Sequence, residues 1–108
     1  MELVADVEAI FYFISNKKDN IYQNYRPAHK IKEGYLTTGV HNYYNINNSS
    51  NEIKGTITFL SPESYPACLW IGKKIEMYEG SKAVGYAIIT QIFNSVLDKE
   101  SMYKSYEN

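Results

Sequence analysis

Residues 72–93 read GKKIEMYEGSKAVGYAIITQIF, and this stretch decides the fold of the chain. Apolar and polar side chains alternate on both sides of its centre, beginning with Ile75 and Met77. A period of two is typical of a β-strand with one buried face. The central Glu-Gly-Ser-Lys, residues 79–82, has the composition of a tight turn, so the stretch predicts a β-hairpin. One face of its second strand, residues 83–93, is expected to carry Val84, Tyr86, Ile88, Thr90 and Ile92.

Further short strands are predicted on the N-terminal side of this hairpin. They cover residues 3–14, 28–32, 35–44, 52–60 and 68–71, and β-branched and aromatic residues dominate them. Polar segments at 15–24 and 45–51 predict loops, and prolines and glycines mark the remaining corners. Six or seven short strands at this spacing indicate an all-β barrel or sandwich.

Composition restricts the class of protein. The 108 residues suit a single domain over residues 1–108, with a core at about 4–94 and a polar tail at 95–108. The net charge of −1 gives no overall attraction to nucleic acid or to an anionic membrane. Cys68 is the only cysteine, and neither a signal peptide nor a membrane-spanning run is visible. We therefore expect a cytoplasmic protein without membrane association.

Four blocks carry a resemblance to a known family. They are VEAIFYFI at 7–14, YRPAH at 25–29, TFLSPE at 58–63 and GKKIEMYEGSKAVG at 72–85. In order and spacing they resemble the C-terminal (third) domain of elongation factor Tu, over residues 5–94. The resemblance implies a closed six- to seven-stranded antiparallel Greek-key β-barrel, here as a stand-alone domain with a short C-terminal tail.

The departures from that family bear on function. No Gly-x-x-x-x-Gly-Lys-Ser/Thr loop is present, so the resemblance carries no nucleotide binding, and we expect no cofactor. In the family, a glutamine, a threonine and a glutamate of this domain help to hold tRNA. The matching positions here are Ala28, Thr37 and Glu79, so the glutamine is lost. The alternative interpretation of Thr37 and Glu79 is that they are ordinary strand and turn residues.

Catalytic and metal-binding residues are sparse. His29 and His41 are the only histidines, and neither they nor Cys68 stand at a spacing typical of metal ligands. We expect His29 to pack as a strand residue inside the barrel. Cys68 lies between apolar residues, which favours an inert buried thiol. The sequence therefore predicts a non-enzymatic protein without a metal.

Surface residues are better candidates for the function. Lysines cluster around the last hairpin, and tyrosines, which are favoured at interfaces, are abundant. The alternative is that the lysines are simply solvated and the tyrosines fill cross-strand pairs. The predicted partner-binding residues are Arg26, Thr37, Tyr43, Tyr44, Lys73, Lys74, Glu79 and Lys82.

Two classes of function remain open at this stage. The first is a protein-binding module, specifically an immunity protein that neutralises an interbacterial toxin of the contact-dependent growth inhibition type by direct binding. The second is a translation-related tRNA- or RNA-binding module, or a decoy that competes with intact elongation factor Tu. The first is preferred because the chain is nearly neutral, rich in tyrosine and without a catalytic set.

Overall fold

The computed structural model describes residues 4–14, 21–44 and 52–100. The predicted loop residues 15–20 and 45–51 and the tail residues 101–108 lie outside this set. Six β-strands and one short 3₁₀ helix at Pro62–Ser64 make up the described fold. The strands are β1 (Val7–Phe13), β2 (Ala28–Lys32), β3 (Tyr35–Tyr43), β4 (Glu52–Phe59), β5 (Lys74–Glu79) and β6 (Lys82–Ile92).

The strands close into a barrel in the order β1-β4-β3-β2-β5-β6, and all neighbours are antiparallel. Strands β2, β3 and β4 follow one another along the chain, and β1 returns to lie beside β4, which is the Greek-key arrangement. The predicted closed, antiparallel, six-stranded all-β barrel is therefore confirmed. The hairpin expected at residues 72–93 is the β5–β6 pair.

The alternation read from the sequence fills the barrel interior. In β4, Ile53, Ile57 and Phe59 are buried, and Gly55 lies among them, as predicted. In β5, Ile75 and Met77 are fully buried. Since side chains point to opposite faces in turn, each strand supplies one apolar row to a single core.

The face of β6 predicted to carry Val84, Tyr86, Ile88, Thr90 and Ile92 is wrong in the middle of the strand, although Ile92 packs against the core. Val84 is buried as expected, but the next inward residues are Ala87 and Ile89, whereas Tyr86 and Ile88 are only partly buried. The cause is a β-bulge, because the register with β5 shifts by one residue beside Gly85. Gly85 has a φ of 153°, and a Cβ there would collide with the Tyr12 carbonyl. A one-residue shift exchanges the two faces of a strand.

The predicted strand at residues 68–71 is also wrong. Only Leu69 forms a β-bridge there, in parallel with Asp98. Residues 60–73 instead cross one end of the barrel to connect β4 with β5, and Tyr65 and Leu69 enter the core. Leu97 is fully buried against the same core, so apolar packing continues past the predicted limit at residue 94.

Candidate binding site

A cleft opens on the barrel wall where β2 and β5 separate. Their pairing ends at Lys30 opposite Glu76, so Ile31 has no partner on β5. The opening has a volume of about 490 Å³, and the segment that precedes β5 forms its far side. We call it the Trp70 cleft. Its lining residues are Lys30, Ile31, Lys32, Glu33, Cys68, Trp70, Lys73, Lys74 and Glu76.

Lys73 closes the gap between the two strands from inside the Trp70 cleft. Its Nζ donates hydrogen bonds to the carbonyl oxygens of Ile31 and, at 2.8 Å, Cys68. The bond to Ile31 satisfies a backbone carbonyl of β2 that has no hydrogen-bond donor on β5. The side chain is half-buried, and its burial lowers the pKa of the ammonium group. Lys73 is therefore part of the barrel wall as well as of the cleft.

Trp70 is the aromatic residue of the cleft and the only tryptophan of the chain. The Nζ atoms of Lys73 and Lys99 lie 4.6 and 5.1 Å from its ring centroid, which is cation–π distance. The indole nevertheless remains 43% exposed. A rigid aromatic ring, held by two ammonium groups and open to solvent, is available to contact a partner.

The cleft carries an excess of positive charge. Four lysines line it against the two carboxylates of Glu33 and Glu76. Across the described residues, Lys30 is the only one of these lysines that forms an ion pair, at 3.4 Å from Glu33. The whole chain has a net charge of −1. The cleft is thus a local positive site on a protein that has almost no overall charge.

The predicted partner-binding residues fall into separate groups. Lys73 and Lys74 line the Trp70 cleft, and Lys74 also lies 4.3 Å from the ring centroid of Tyr86. Arg26, Glu79 and Lys82 lie at the opposite end of the barrel, where β5 ends and β2 begins. Lys74 and Glu79 are five residue steps apart on an extended strand, about 17 Å. These two groups therefore do not form one compact site.

The remaining predicted residues lie on β3 or directly after it. Tyr43 is only 5% exposed, and its hydroxyl hydrogen-bonds Nδ1 of His41 at 2.8 Å, so it belongs to the core and not to a surface. Tyr44 is exposed, and its hydroxyl donates to the Glu8 carboxylate at 2.9 Å. Thr37 is half-buried, with its Oγ1 3.2 Å from the Tyr65 hydroxyl. None of the three lines the Trp70 cleft.

The two histidines form a buried pair inside the barrel. Their Nε2 atoms lie 2.8 Å apart, and both rings are inaccessible to solvent. Burial lowers the pKa of His29 to about 4, and burial, followed by the proximity of His29, lowers the pKa of His41 well below its usual value. His29 thus packs inside the barrel as predicted. At neutral pH both rings are uncharged and bonded to each other.

Other chemistry is limited in the described residues. Residues 4–14, 21–44 and 52–100 contain no cluster of three or more side chains suited to a metal ion. The Cys68 thiol is half-buried at the cleft, and burial raises its pKa, which keeps it protonated and weakly nucleophilic. In the same ranges, no helix has the length and apolarity needed to span a bilayer.

Sequence reasoning missed three residues of the site. Lys30, Lys32 and Trp70 line the cleft, yet the sequence assigned Trp70 to a strand that does not exist. One signal was present in the sequence. The single tryptophan, Trp70, precedes Gly72 by two residues, and Lys73 and Lys74 follow Gly72 directly. That Lys30 and Lys32 approach this segment depends on the order of β2 and β5 in the barrel.

Comparison with known proteins identifies no family for this sequence. No profile of a protein family matches the sequence, and no characterised protein matches it significantly.

Proposed function

We propose that this chain is a non-catalytic protein-binding module and that the Trp70 cleft is the centre of its binding surface. The observation that carries the proposal is the exposed indole of Trp70 at a charged cleft. Tryptophan and other aromatic residues dominate the binding energy of protein interfaces, and polar residues surround them. Here the lysines and the two glutamates supply that polar surround.

The partner that we propose is an interbacterial toxin, which the chain neutralises in the cytoplasm by occluding it. Immunity of this kind needs a rigid surface and no catalysis. A closed barrel offers such a surface, since its strands leave no free edge.

Growth rescue tests the proposal. The toxin candidate is the product of the gene adjacent to that of this chain, expressed from an inducible promoter. We expect the chain to restore growth and to co-purify with the toxin, and Trp70→Ala to weaken the complex at least tenfold. Tyr22→Ala is the matched control, because Tyr22 is also an exposed aromatic residue but lies beside Tyr25, away from the cleft. Growth arrest that the wild-type chain does not relieve contradicts the proposal.

A tRNA or other RNA partner, bound at an unpaired segment, is the second candidate, and one observation favours it. Trp70 between Lys73 and Lys99 combines an aromatic platform with cations, as single-strand binding sites do. Binding of this kind weakens steeply with salt. If the purified chain retains tRNA but no protein, and releases it between 50 and 200 mM salt as expected for phosphate contacts, this second function replaces the first.

A further inference from the structure

We propose that the Trp70 cleft binds an acidic segment of the protein partner and places one of its carboxylates between Lys32, Lys73 and Lys74. The inference names the chemistry of the partner and rests on the proposed function. It goes beyond that function because it requires the partner to be acidic, whereas a protein interface centred on Trp70 could form without any charge on the partner.

The first argument is the state of Lys73. Its ammonium group is half-buried and donates to two neutral carbonyl oxygens, those of Ile31 and Cys68. No carboxylate pairs with it within residues 4–14, 21–44 and 52–100. An ammonium group has three donors, so one remains for a further acceptor. A charge that is partly removed from water is stabilised most by an opposite charge, which the described residues do not supply to Lys73.

The second argument is that Lys73 is not alone. Lys32 and Lys74 line the same opening, and neither forms an ion pair in the described part of the chain. Each instead lies near an aromatic ring: Lys32 at 5.5 Å from Tyr35 and Lys74 at 4.3 Å from Tyr86. These contacts restrict the long side chains, so less entropy is lost when an anion binds.

The third argument separates an acidic protein segment from a nucleic acid. A nucleic acid strand carries a charge at every phosphate and needs a positive groove that follows it. Here Glu33 and Glu76 lie on the cleft wall, and the neighbouring opening, which shares Lys30 and Glu33 with the cleft, has Lys30 as its only basic lining residue. Apart from Lys99 beside Trp70, the positive charge here lies within about 490 Å³ and is interrupted by two glutamates, an arrangement that suits a few carboxylates better than a continuous phosphate chain.

The single tryptophan makes the test specific to this site. The probe is hexaglutamate, added to the full chain at low ionic strength, and the readout is the indole N–H signal of Trp70 in a ¹H–¹⁵N spectrum. We expect a saturable shift that weakens with salt. Affinity is expected to fall about threefold in Lys32→Gln and about tenfold in the double variant Lys32→Gln, Lys74→Gln. Lys54→Gln is the matched control, because Lys54 is exposed and pairs with Glu8 elsewhere on the barrel; its affinity should equal that of the wild type.

Three outcomes overturn the inference. They are tighter binding of hexauridylate than of hexaglutamate, an equal shift of the Trp70 signal by inorganic phosphate at equal charge, and a shift that does not saturate. The proposed function is judged separately by the toxin complex. If Trp70→Ala weakens that complex while Lys32→Gln changes neither the complex nor hexaglutamate binding, the protein-binding function stands and the acidic partner is rejected.

Discussion

The barrel interior and the Trp70 cleft hold basic side chains away from water in two different ways. Inside the barrel, His29 and His41 are fully buried, and each uses the other as its hydrogen-bond partner. At the cleft, Lys73 is half-buried and keeps a charge that only carbonyl oxygens and an indole ring surround. The imidazoles can lose their charge near neutral pH, whereas an ammonium group cannot do so as readily.

The difference distinguishes a structural polar group from one that is available for binding. Three of the four imidazole nitrogens of the histidine pair are hydrogen-bonded within the chain, since the Tyr43 hydroxyl bonds Nδ1 of His41, and only the buried Nδ1 of His29 has no partner among the described residues. Lys73 and its neighbours Lys32 and Lys74 form no ion pair with a carboxylate among the described residues. We infer that the interior pair serves the fold and that the cleft serves a partner.

The largest effect on the interior is expected from Gly39→Ala. A Cβ at Gly39 would lie 2.6 Å from Cγ2 of Ile57 and 2.8 Å from Cε1 of His29, so the imidazole would have to move. We expect the free energy of unfolding to fall by about 3 kcal/mol, the upper range for overpacking a core. Urea denaturation measures it. Gly34→Ala is the control. A Cβ at Gly34 has no atom within 4 Å, so the variant suffers backbone strain from the positive φ but no overpacking. Equal losses in both variants would show that Gly39 does not make room for His29.

Acid is expected to have the next largest effect. The folded chain keeps His29 neutral, with its pKa lowered from 6.5 to about 4, while the unfolded chain binds a proton at the ordinary value. Stability is therefore complete above pH 6.5 and falls as the pH drops toward 4. We expect a loss of about 2 kcal/mol between pH 7 and pH 5 from His29, and His41 acts in the same direction.

The titratable groups that contact the histidine pair do not change the direction of this pH dependence. Tyr43 and Tyr25 contact His41, and burial raises the pKa of both phenols, so neither is charged in this range. Urea unfolding at pH 5, 6 and 7 measures the effect. Stability that stays constant over this range would contradict a neutral histidine pair.

Lys73→Met is expected to cost about 1.5 kcal/mol. The variant keeps most of the side-chain volume but removes the charged donor to the carbonyls of Ile31 and Cys68. We choose the lower end of the range for charged hydrogen bonds because water can reach this half-buried site. Thermal unfolding measures the loss, and Lys74→Met is the matched control on the exposed side of the cleft. If both variants lose the same stability, Lys73 does not hold β2 and β5 together.

Tyr43→Phe is expected to have the smallest effect, about 1 kcal/mol. The change removes the hydroxyl that bonds Nδ1 of His41 and keeps the ring in the core. Tyr44→Phe is the control, because its hydroxyl bonds Glu8 at the surface. Denaturation at pH 7 compares the two variants. A larger loss in Tyr44→Phe would mean that the core pair does not depend on Tyr43.

Much of the fold could be predicted from local patterns. The apolar residues of β4 and β5 alternate with polar residues in the sequence, and in the barrel they point inward. They are Ile53, Ile57 and Phe59 in β4 and Ile75 and Met77 in β5. The pattern failed at β6, where a bulge beside Gly85 exchanged the faces, and at residues 68–71, where an apolar run crosses the barrel end instead of pairing. A bulge depends on the partner strand, so alternation within one strand cannot reveal it.

The candidate site was predictable only in part, for a related reason. Lys73 and Lys74 were identified because they are adjacent in the chain, but the tyrosine at position 43 was assigned to the surface and lies in the core. Its direction is set by the register of β3 against β4, in which Tyr43 faces Gly55. Trp70 was missed because the role of a residue outside a strand is set by what packs around it.

The sequence alone determined the class of fold, because period-two alternation and glycine or proline corners act over a few neighbouring residues. It also determined the near-zero net charge and the absence of a Walker-type nucleotide loop. Only the tertiary structure decided that Lys30 and Lys32 line the same cleft as Trp70, and that His29 contacts His41. These residues are 12 to 40 positions apart, and closure of the barrel in one strand order brings them together.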